Sequence, residues 1–258
     1  MIVKISNKSK DLLRNSTFST LLQLPQMTDA EYDEIKYIVE FMGGHWREKY
    51  KGFIFDAPPE EVRKSLDVIL SIKQFRLSDD KVFKIKNQFY PTPDWLAYKM
   101  VITAGIKKTD AVLEPSAGRG AILKYIAKQT KHYYSVEYNK ENAQYLRNCG
   151  YRVNLTSFEE YAAKCLSNGK QFDKIVMNPP FSREMDIRHI ILAYRILKSG
   201  GRLVALMAEN SIYYDRPITH QFNQFLEETH AQVTEVPHGS FKESGTNVDV
   251  IMIVIDKT

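Results

Sequence analysis

The stretch "DAVLEPSAGRGAIL", Asp110–Leu123, sets the reading of everything after it. A short apolar run ends in an acid and a proline, passes Gly118 and Gly120, and resumes as an apolar run. Such a run bounded by turn residues reads as a buried strand, and the glycines let the backbone turn tightly into a helix expected from about Arg119. The pattern then recurs. "HYYSVEY" precedes a helix over Glu141–Asn148, "YRVNL" one from Phe158, "FDKIVMN" one over Met185–Leu197, and "GGRLVALMAE" one over Thr219–Glu228. Strands alternating with helices imply βαβ units, right-handed crossovers and a doubly wound, mostly parallel α/β sheet. The last two strands, "AQVTEVP" and "VDVIMIVID", are separated by ten residues. That is too few for a crossover helix, so they are expected to pair antiparallel.

The chain has 258 residues, 43% of them hydrophobic, enough to bury a full core. A formal net charge of +5 permits a polyanionic partner without requiring one. Cys149 and Cys165 fall in expected helices without the spacing of metal ligands, so they read as reduced thiols and no metal is expected. The opening "MIVKISNKSKDLL" lacks the apolar run of a signal peptide, and no segment is long and apolar enough to span a membrane. A cytoplasmic protein with no membrane partner is expected.

The first part of the chain has a different texture. "MTDAEYDEIKYIVEFM" has helical periodicity with Thr28 or Asp29 as cap, "GGHW" reads as a turn, "YKGFIFD" as a strand, and "PPEEVRKSLDVILSI" as a helix opened by proline and acids. Residues 1–85 are therefore expected to form a small α+β unit, joined through "LSDDKVFKIKNQFYPTP" to a main domain over 86–258. "GGHWREKYKGFIF" interleaves Arg47, Lys49 and Lys51 with Trp46, Tyr50 and Phe53, a pattern suited to phosphate contact and base stacking. The competing reading is a hairpin whose aromatics pack on neighbouring helices. The unit's 14 Lys/Arg against 13 Asp/Glu give that reading weight.

In doubly wound sheets, ligands bind beyond the carboxyl ends of the strands at the switch point. There the first strand ends in a glycine turn beside a helix start, and the second ends in Glu137, placed to accept from two ribose hydroxyls. Dinucleotide sites share this plan, but Leu123 stands where their fingerprint has a third glycine. A nucleoside-type ligand is expected; a turn that merely packs is the alternative.

These segments carry a family resemblance. "VLEPSAGRG" resembles motif I of S-adenosylmethionine-dependent amino-methyltransferases, "QFYPTP" (Gln88–Pro93) is similar to their motif X, and "NPPF" (Asn178–Phe181) to their catalytic motif IV. The order X, I, II, IV matches the gamma group over about Gln88–Lys257 and leaves residues 1–85 unexplained. The resemblance implies a seven-stranded Rossmann-like methyltransferase sheet with an antiparallel last strand, and S-adenosylmethionine as cofactor. It implies that Tyr90 and Thr92 cover the methionine part of that cofactor. It also implies that Glu114, Ser116, Ala117 and Gly118 line it, that Glu137 holds the ribose, and that Tyr138 and Asn178 adjoin it. The third motif departs from the pattern. An aspartate followed by phenylalanine is usual, whereas this chain has Ser157-Phe158. The carboxylate that the family offers to the adenine amine is absent from this position, while Phe158 can still pack on the ring or serve as a plain core residue.

The Asn-Pro-Pro-Phe segment has a chemical rationale. The exocyclic amine of adenine is a poor nucleophile because its lone pair is delocalised into the ring. Two acceptors aimed at its hydrogens, the Asn178 side-chain oxygen and the Pro179 carbonyl, would free that lone pair with little reorganisation as charge develops. Pro179 and Pro180 fix their own φ and hold the preceding residues extended. Phe181 offers a flat face for the target base, which must be flipped out of a duplex to reach the pocket.

"PHGSFKESGTNVDV" resembles the family's motif VIII, where Phe241 would contact the other face of the base, Lys242 could meet a phosphate, and Gly245 would serve a turn. "NSIYYDRP", Asn210–Pro217, should rim the pocket. Gamma enzymes of restriction systems carry a long recognition domain after the last strand, so specificity is expected here from the amino-terminal unit, loops, a second subunit, or hardly at all, with a homodimer also open. The resemblance points to an orphan DNA adenine-N6 methyltransferase, bacterial or of a mobile element such as a phage. RNA adenine is the nearer alternative, ahead of protein glutamine and cytosine-N4, and a non-catalytic interaction module is a further one.

Overall fold

The computed structural model describes residues 2–16, 21–24, 27–47, 50, 52–55, 57–76, 90–181, 184–242, 244 and 248–258, and the chain divides into two units, Met1–Ile85 and Lys86–Thr258. The first unit contains β1 (Ile2–Lys4), α1 (Asn7–Arg14), β2 (Leu21–Leu22), α2 (Asp29–Phe41), β3 (Gly44–Arg47), β4 (Gly52–Phe55), α3 (Pro59–Ser71) and β5 (Gln74–Arg76). Thr28 caps α2 in a full capping box: its side chain accepts from the Glu31 amide while the Glu31 side chain accepts from the Thr28 amide. α3 opens on proline with Glu60 and Glu61 in its first turn, where the helix dipole favours anions. β1 pairs antiparallel with β5, and β2, β4 and β3 form a second antiparallel sheet.

Two readings of this unit change. "GGHW" is not a turn: only Gly43 has the left-handed φ of one, at 89°, and Gly44 starts β3. A Cβ on Gly44 would lie 2.5 Å from Val39 Cγ1 and 2.8 Å from the Phe55 ring, so close packing within the strand accounts for that glycine. Phe53 does not present a face for stacking. It is fully buried with Leu22, Ile35 and Ile38 and lies near the Tyr32 ring. Tyr50 is exposed. Lys49, Lys51, the Trp46 side chain and the linker segment through Gln88 lie outside the described residues.

The second unit runs α4 (Asp94–Ala104), β6 (Val112–Glu114), α5 (Leu123–Gln129), β7 (Tyr133–Glu137), α6 (Lys140–Asn148), β8 (Asn154–Leu155), α7 (Phe158–Asn168), β9 (Phe172–Met177) and α8 (Met185–Arg195). It continues through β10 (Leu197–Ala208), a 3-10 turn (Glu209–Ile212), α9 (Pro217–Glu228), β11 (Gln232–Glu235) and β12 (Val250–Asp256). Seven strands form one sheet in the order β11-β12-β10-β9-β6-β7-β8. β8, β7, β6, β9 and β10 run parallel, and β12 lies antiparallel between β10 and β11, as the short connection required.

Strict alternation fills both faces of this sheet. Ile175, Leu203, Ala205, Ile251 and Ile253 face one core with α7, α8 and α9. Val176, Val204, Leu206, Val250 and Met252 face the other, with α4 and α5. Burial on both faces explains the continuous apolar runs of β9, β10 and β12. The strand order reverses between β6 and β9, so a crevice opens at their carboxyl ends. The helix expected from Arg119 begins only at Leu123, because Gly118 and Gly120 adopt φ of 53° and 86°, which a right-handed helix cannot include. α8 stops at Arg195, so Leu197 belongs to the next strand, and "YRVNL" pairs only over Asn154–Leu155. α4, directly after "YPTP", has no counterpart among the helices expected from the sequence. Among the described residues, no helix is long and apolar enough to cross a membrane.

Candidate active site

The glycine turn after β6 is tied to the neighbouring strand by its own backbone. Ala117 N–H donates to the Val136 carbonyl at 2.9 Å, and Gly118 N–H donates to Glu137 Oε2 at 2.7 Å. Glu137 Oε1 accepts from the Asn139 amide at 2.7 Å, and Asn139 in turn caps α6. The carboxylate at the end of β7 thus fixes both the turn and the start of the next helix. Burial pushes the Glu137 carboxyl upward, and the Asn139 and Gly118 amides pull it part of the way back. Glu114, at the end of β6, is 1% exposed, and its Oε2 is buried without a partner. Burial, reinforced by the Glu137 charge, holds its carboxyl well above the usual range.

Beside this turn lies a cleft of about 260 Å³. Pro115 and Ser116 contribute from the turn, Glu137 and Tyr138 from the end of β7, Ser157, Phe158 and Glu159 from the start of α7, and Pro180, Met185 and His189 from the segment after β9. Ser157 is the cap of α7, its Oγ accepting from the Glu160 amide at 3.2 Å. Phe158 is almost entirely buried yet still reaches the cleft, so its core and cleft roles coincide. The pocket joins apolar walls to carboxylates.

Asn178 is the first residue beyond β9. Its Nδ2 donates to Thr92 Oγ1 at 3.0 Å, while its Oδ1 is buried with no partner. Thr92 is itself buried, and the adjacent Pro91 carbonyl accepts from Ser244 Oγ at 2.6 Å. Three segments distant in sequence, around Thr92, Asn178 and Ser244, are thereby stitched together. Tyr90 and Phe181 are half-buried against the core that holds Leu96 and Val250, and Pro179 is buried.

One expected site residue is placed elsewhere. Phe241 is 1% exposed and belongs to that same core, so it anchors its loop and presents no face to a base. Lys242 is exposed, and Gly245 lies outside the described residues. On the expected rim, Tyr213 is exposed, and Arg216 Nη1 pairs with Glu184 Oε1 at 2.7 Å. Sequence reading missed Glu159, His189, Met185 and Ser244. The first three reach the cleft only because α7 and α8 pack side by side, a proximity that no local motif encodes.

Residues 99–235 match the family model described as the methyltransferase small domain. No curated protein matches the chain. Among solved structures, the chain is similar to the EcoKI M protein of a type I restriction enzyme: 13% identity and a TM-score of 0.55 over 98% of this chain and 58% of that one. It is also similar to a modification subunit of a putative type I restriction enzyme from Vibrio vulnificus YJ016, at 15% identity and a TM-score of 0.54 over 96% and 60%. A structure of a type I restriction-modification system gives 16% identity and a TM-score of 0.54 over 90% and 56%. At such identities the likeness is one of fold, and the chain spans less than two thirds of each of these three proteins.

Asp186, in the first turn of α8, joins that turn to the end of β10. It is fully buried and accepts from Ser211 Oγ at 2.6 Å, the Ile187 amide at 3.0 Å and the Ala208 amide at 3.3 Å. Burial pushes its carboxyl up to about 6, against these hydrogen bonds. A folded value above the unfolded one means that its contribution to stability is full below the ordinary value of 3.8 and is lost as pH rises through about 6. The loss is about 3 kcal/mol. Denaturant unfolding of the wild type and Asp186→Asn from pH 4.5 to 7.5 should show the wild type losing stability relative to the variant as pH rises. Parallel profiles would contradict this.

Proposed function

The chain belongs to the methyltransferase small domain family and uses S-adenosylmethionine, and from that premise we propose that it methylates the exocyclic N6 amine of adenine in DNA. The observation that carries this reading is the Asn178 side chain: its nitrogen is tied to Thr92 and its oxygen is buried without a partner. A buried acceptor with nothing to accept costs stability unless a ligand supplies the donor. An amine entering the pocket does so.

The residues fit the cofactor. The partnerless Glu114 Oε2 suits its cationic amino group, Glu137 at the glycine turn suits the ribose hydroxyls, and Phe158 with Pro115 and Pro180 suits a flat heterocycle. Tyr90, Thr92, Ser116, Ala117, Gly118, Tyr138 and Ser157 complete the surround. Bound there, S-adenosylmethionine supplies an electrophilic methyl group. Asn178 Oδ1 and the Pro179 carbonyl accept the two amine hydrogens, drawing the lone pair out of the adenine ring, and Phe181 stacks on the base. Because both acceptors are fixed before the amine attacks, the developing positive charge meets a preorganised environment. Nitrogen becomes acidic as it gains the methyl group, so its proton passes to solvent or to these acceptors without a dedicated base. Target bases within a duplex must be flipped out.

DNA is favoured over RNA by the likeness of fold, across nearly all of this chain, to modification subunits of type I restriction enzymes. The amino-terminal unit is the candidate within this chain for target choice, with Lys242 on the phosphate path.

Methyl transfer from labelled S-adenosylmethionine to mixed-sequence DNA and, separately, to total RNA tests the reading, with nucleosides identified by mass spectrometry. N6-methyladenine from DNA alone is expected. The same product from RNA alone would replace the substrate, and no product from either would overturn the nucleic-acid reading. Asn178→Ala should abolish transfer while cofactor affinity stays within a few-fold. Thr92→Val leaves the Asn178 amide unanchored and should lower kcat about ten-fold, a fall larger than any change in KM for the cofactor. Glu137→Ala should weaken cofactor binding by at least about ten-fold in calorimetry.

A further inference from the structure

The position before Phe158 is a serine, and its hydroxyl is committed to capping α7. The cleft nevertheless contains a second carboxylate besides Glu137. Glu159, the second residue of α7, reaches the cleft, and its Oε1 lies 3.0 Å from His189 Nε2. A hydrogen bond to a carboxylate requires the proton on Nε2. His189 is then a donor toward Glu159, and its Nδ1 is buried without a partner. The imidazole is held in this orientation by the Phe158 ring, which meets it edge-on at 5.2 Å. Glu159 is thus aimed by a residue from another helix, beside the aromatic ring that walls the same cleft.

We infer that Glu159, oriented by His189, accepts a hydrogen bond from the exocyclic amine of the cofactor's adenine. This rests on the cofactor occupying the cleft. The cleft has apolar walls for a ring, and Glu137 already serves the turn beside β7. Adenine bears one amine, a donor whose complement is an anionic acceptor, and Glu159 is the remaining carboxylate among the residues that line the cleft. Burial tends to raise its carboxyl, but hydrogen bonds from His189 and from its own backbone outweigh that and bring it below the usual range. A place in the first turn of α7 also favours the anion. Glu159 therefore supplies, two residues further along the chain, the acceptor that Ser157 lacks. His189 is a positioning residue.

The test compares binding of S-adenosylhomocysteine with its 6-oxo analogue, S-inosylhomocysteine, by calorimetry. The oxo group offers an acceptor where adenine offers a donor, so the wild type should prefer the amine by at least about ten-fold. Glu159→Ala should reduce that preference to about three-fold or less, mainly by weakening the adenosyl ligand. Glu159→Gln keeps one acceptor and the side-chain shape, so it should lose less of the preference than the alanine variant does. It also stands in should the alanine variant fail to fold. His189→Gln should lose part of the preference. Equal weakening of both ligands, or no change in their ratio, would overturn the assignment. Failure of the wild type to bind either ligand would overturn the cofactor reading, and this one with it.

Discussion

Burial of the central strands on both faces is the constraint from which the rest follows. β9 and β10 send alternate side chains into two separate cores, so helices must cover both sides of the sheet. With both faces filled, the carboxyl ends of the strands are where sheets of this kind meet a ligand. The strand order reverses between β6 and β9, and the loops after those two strands diverge. Glu114, the glycine turn and Asn178 lie at that gap because they end or follow those two strands.

At the gap, hydrogen bonds within the protein hold the functional groups in place. Glu137 spends its two oxygens on the amides of Gly118 and Asn139, which makes one carboxylate the joint between a turn, a strand end and a helix cap. Thr92 takes the Asn178 amide nitrogen, and Ser244 takes the Pro91 carbonyl. The Thr92–Asn178 and Ser244–Pro91 bonds link segments far apart in sequence. The Thr92 bond leaves Asn178 Oδ1 buried without a partner.

What the sequence made legible was whatever is encoded locally. From Thr109 onward, apolar runs and turn residues mark the strands, because a strand buried on both faces must be apolar throughout and must end at a turn. The position of Asn178–Phe181 just beyond a buried strand was legible for a similar reason, since the prolines mark where β9 ends. Contacts made by packing were not legible. The glycines that signalled the turn also postponed its helix by about a turn, since their positive φ is visible only in three dimensions. Phe241 reads as a pocket aromatic from its loop, yet the sheet folds it inward. The first unit suffered most. Its strands are short, its pairings bridge distant segments such as β1 and β5, and Gly44 serves packing where a turn was the obvious reading.

The distribution of unsatisfied groups carries the functional argument furthest. Among the described residues, five buried side-chain polar atoms lack a partner, and three of them belong to Glu114, Asn178 and His189. Each such atom costs about 1–3 kcal/mol relative to a paired one, a large fraction of the stability of a domain this size. A fold that satisfies the Asn139 cap, the Thr28 box and the Asp186 cluster so fully has the means to satisfy these three as well. That the deficit concentrates at the strand ends of β6 and β9 and along the cleft is what a preorganised site requires. Under the proposed function, the donors that relieve Glu114 and Asn178 arrive with the ligands, which meet acceptors already buried and fixed.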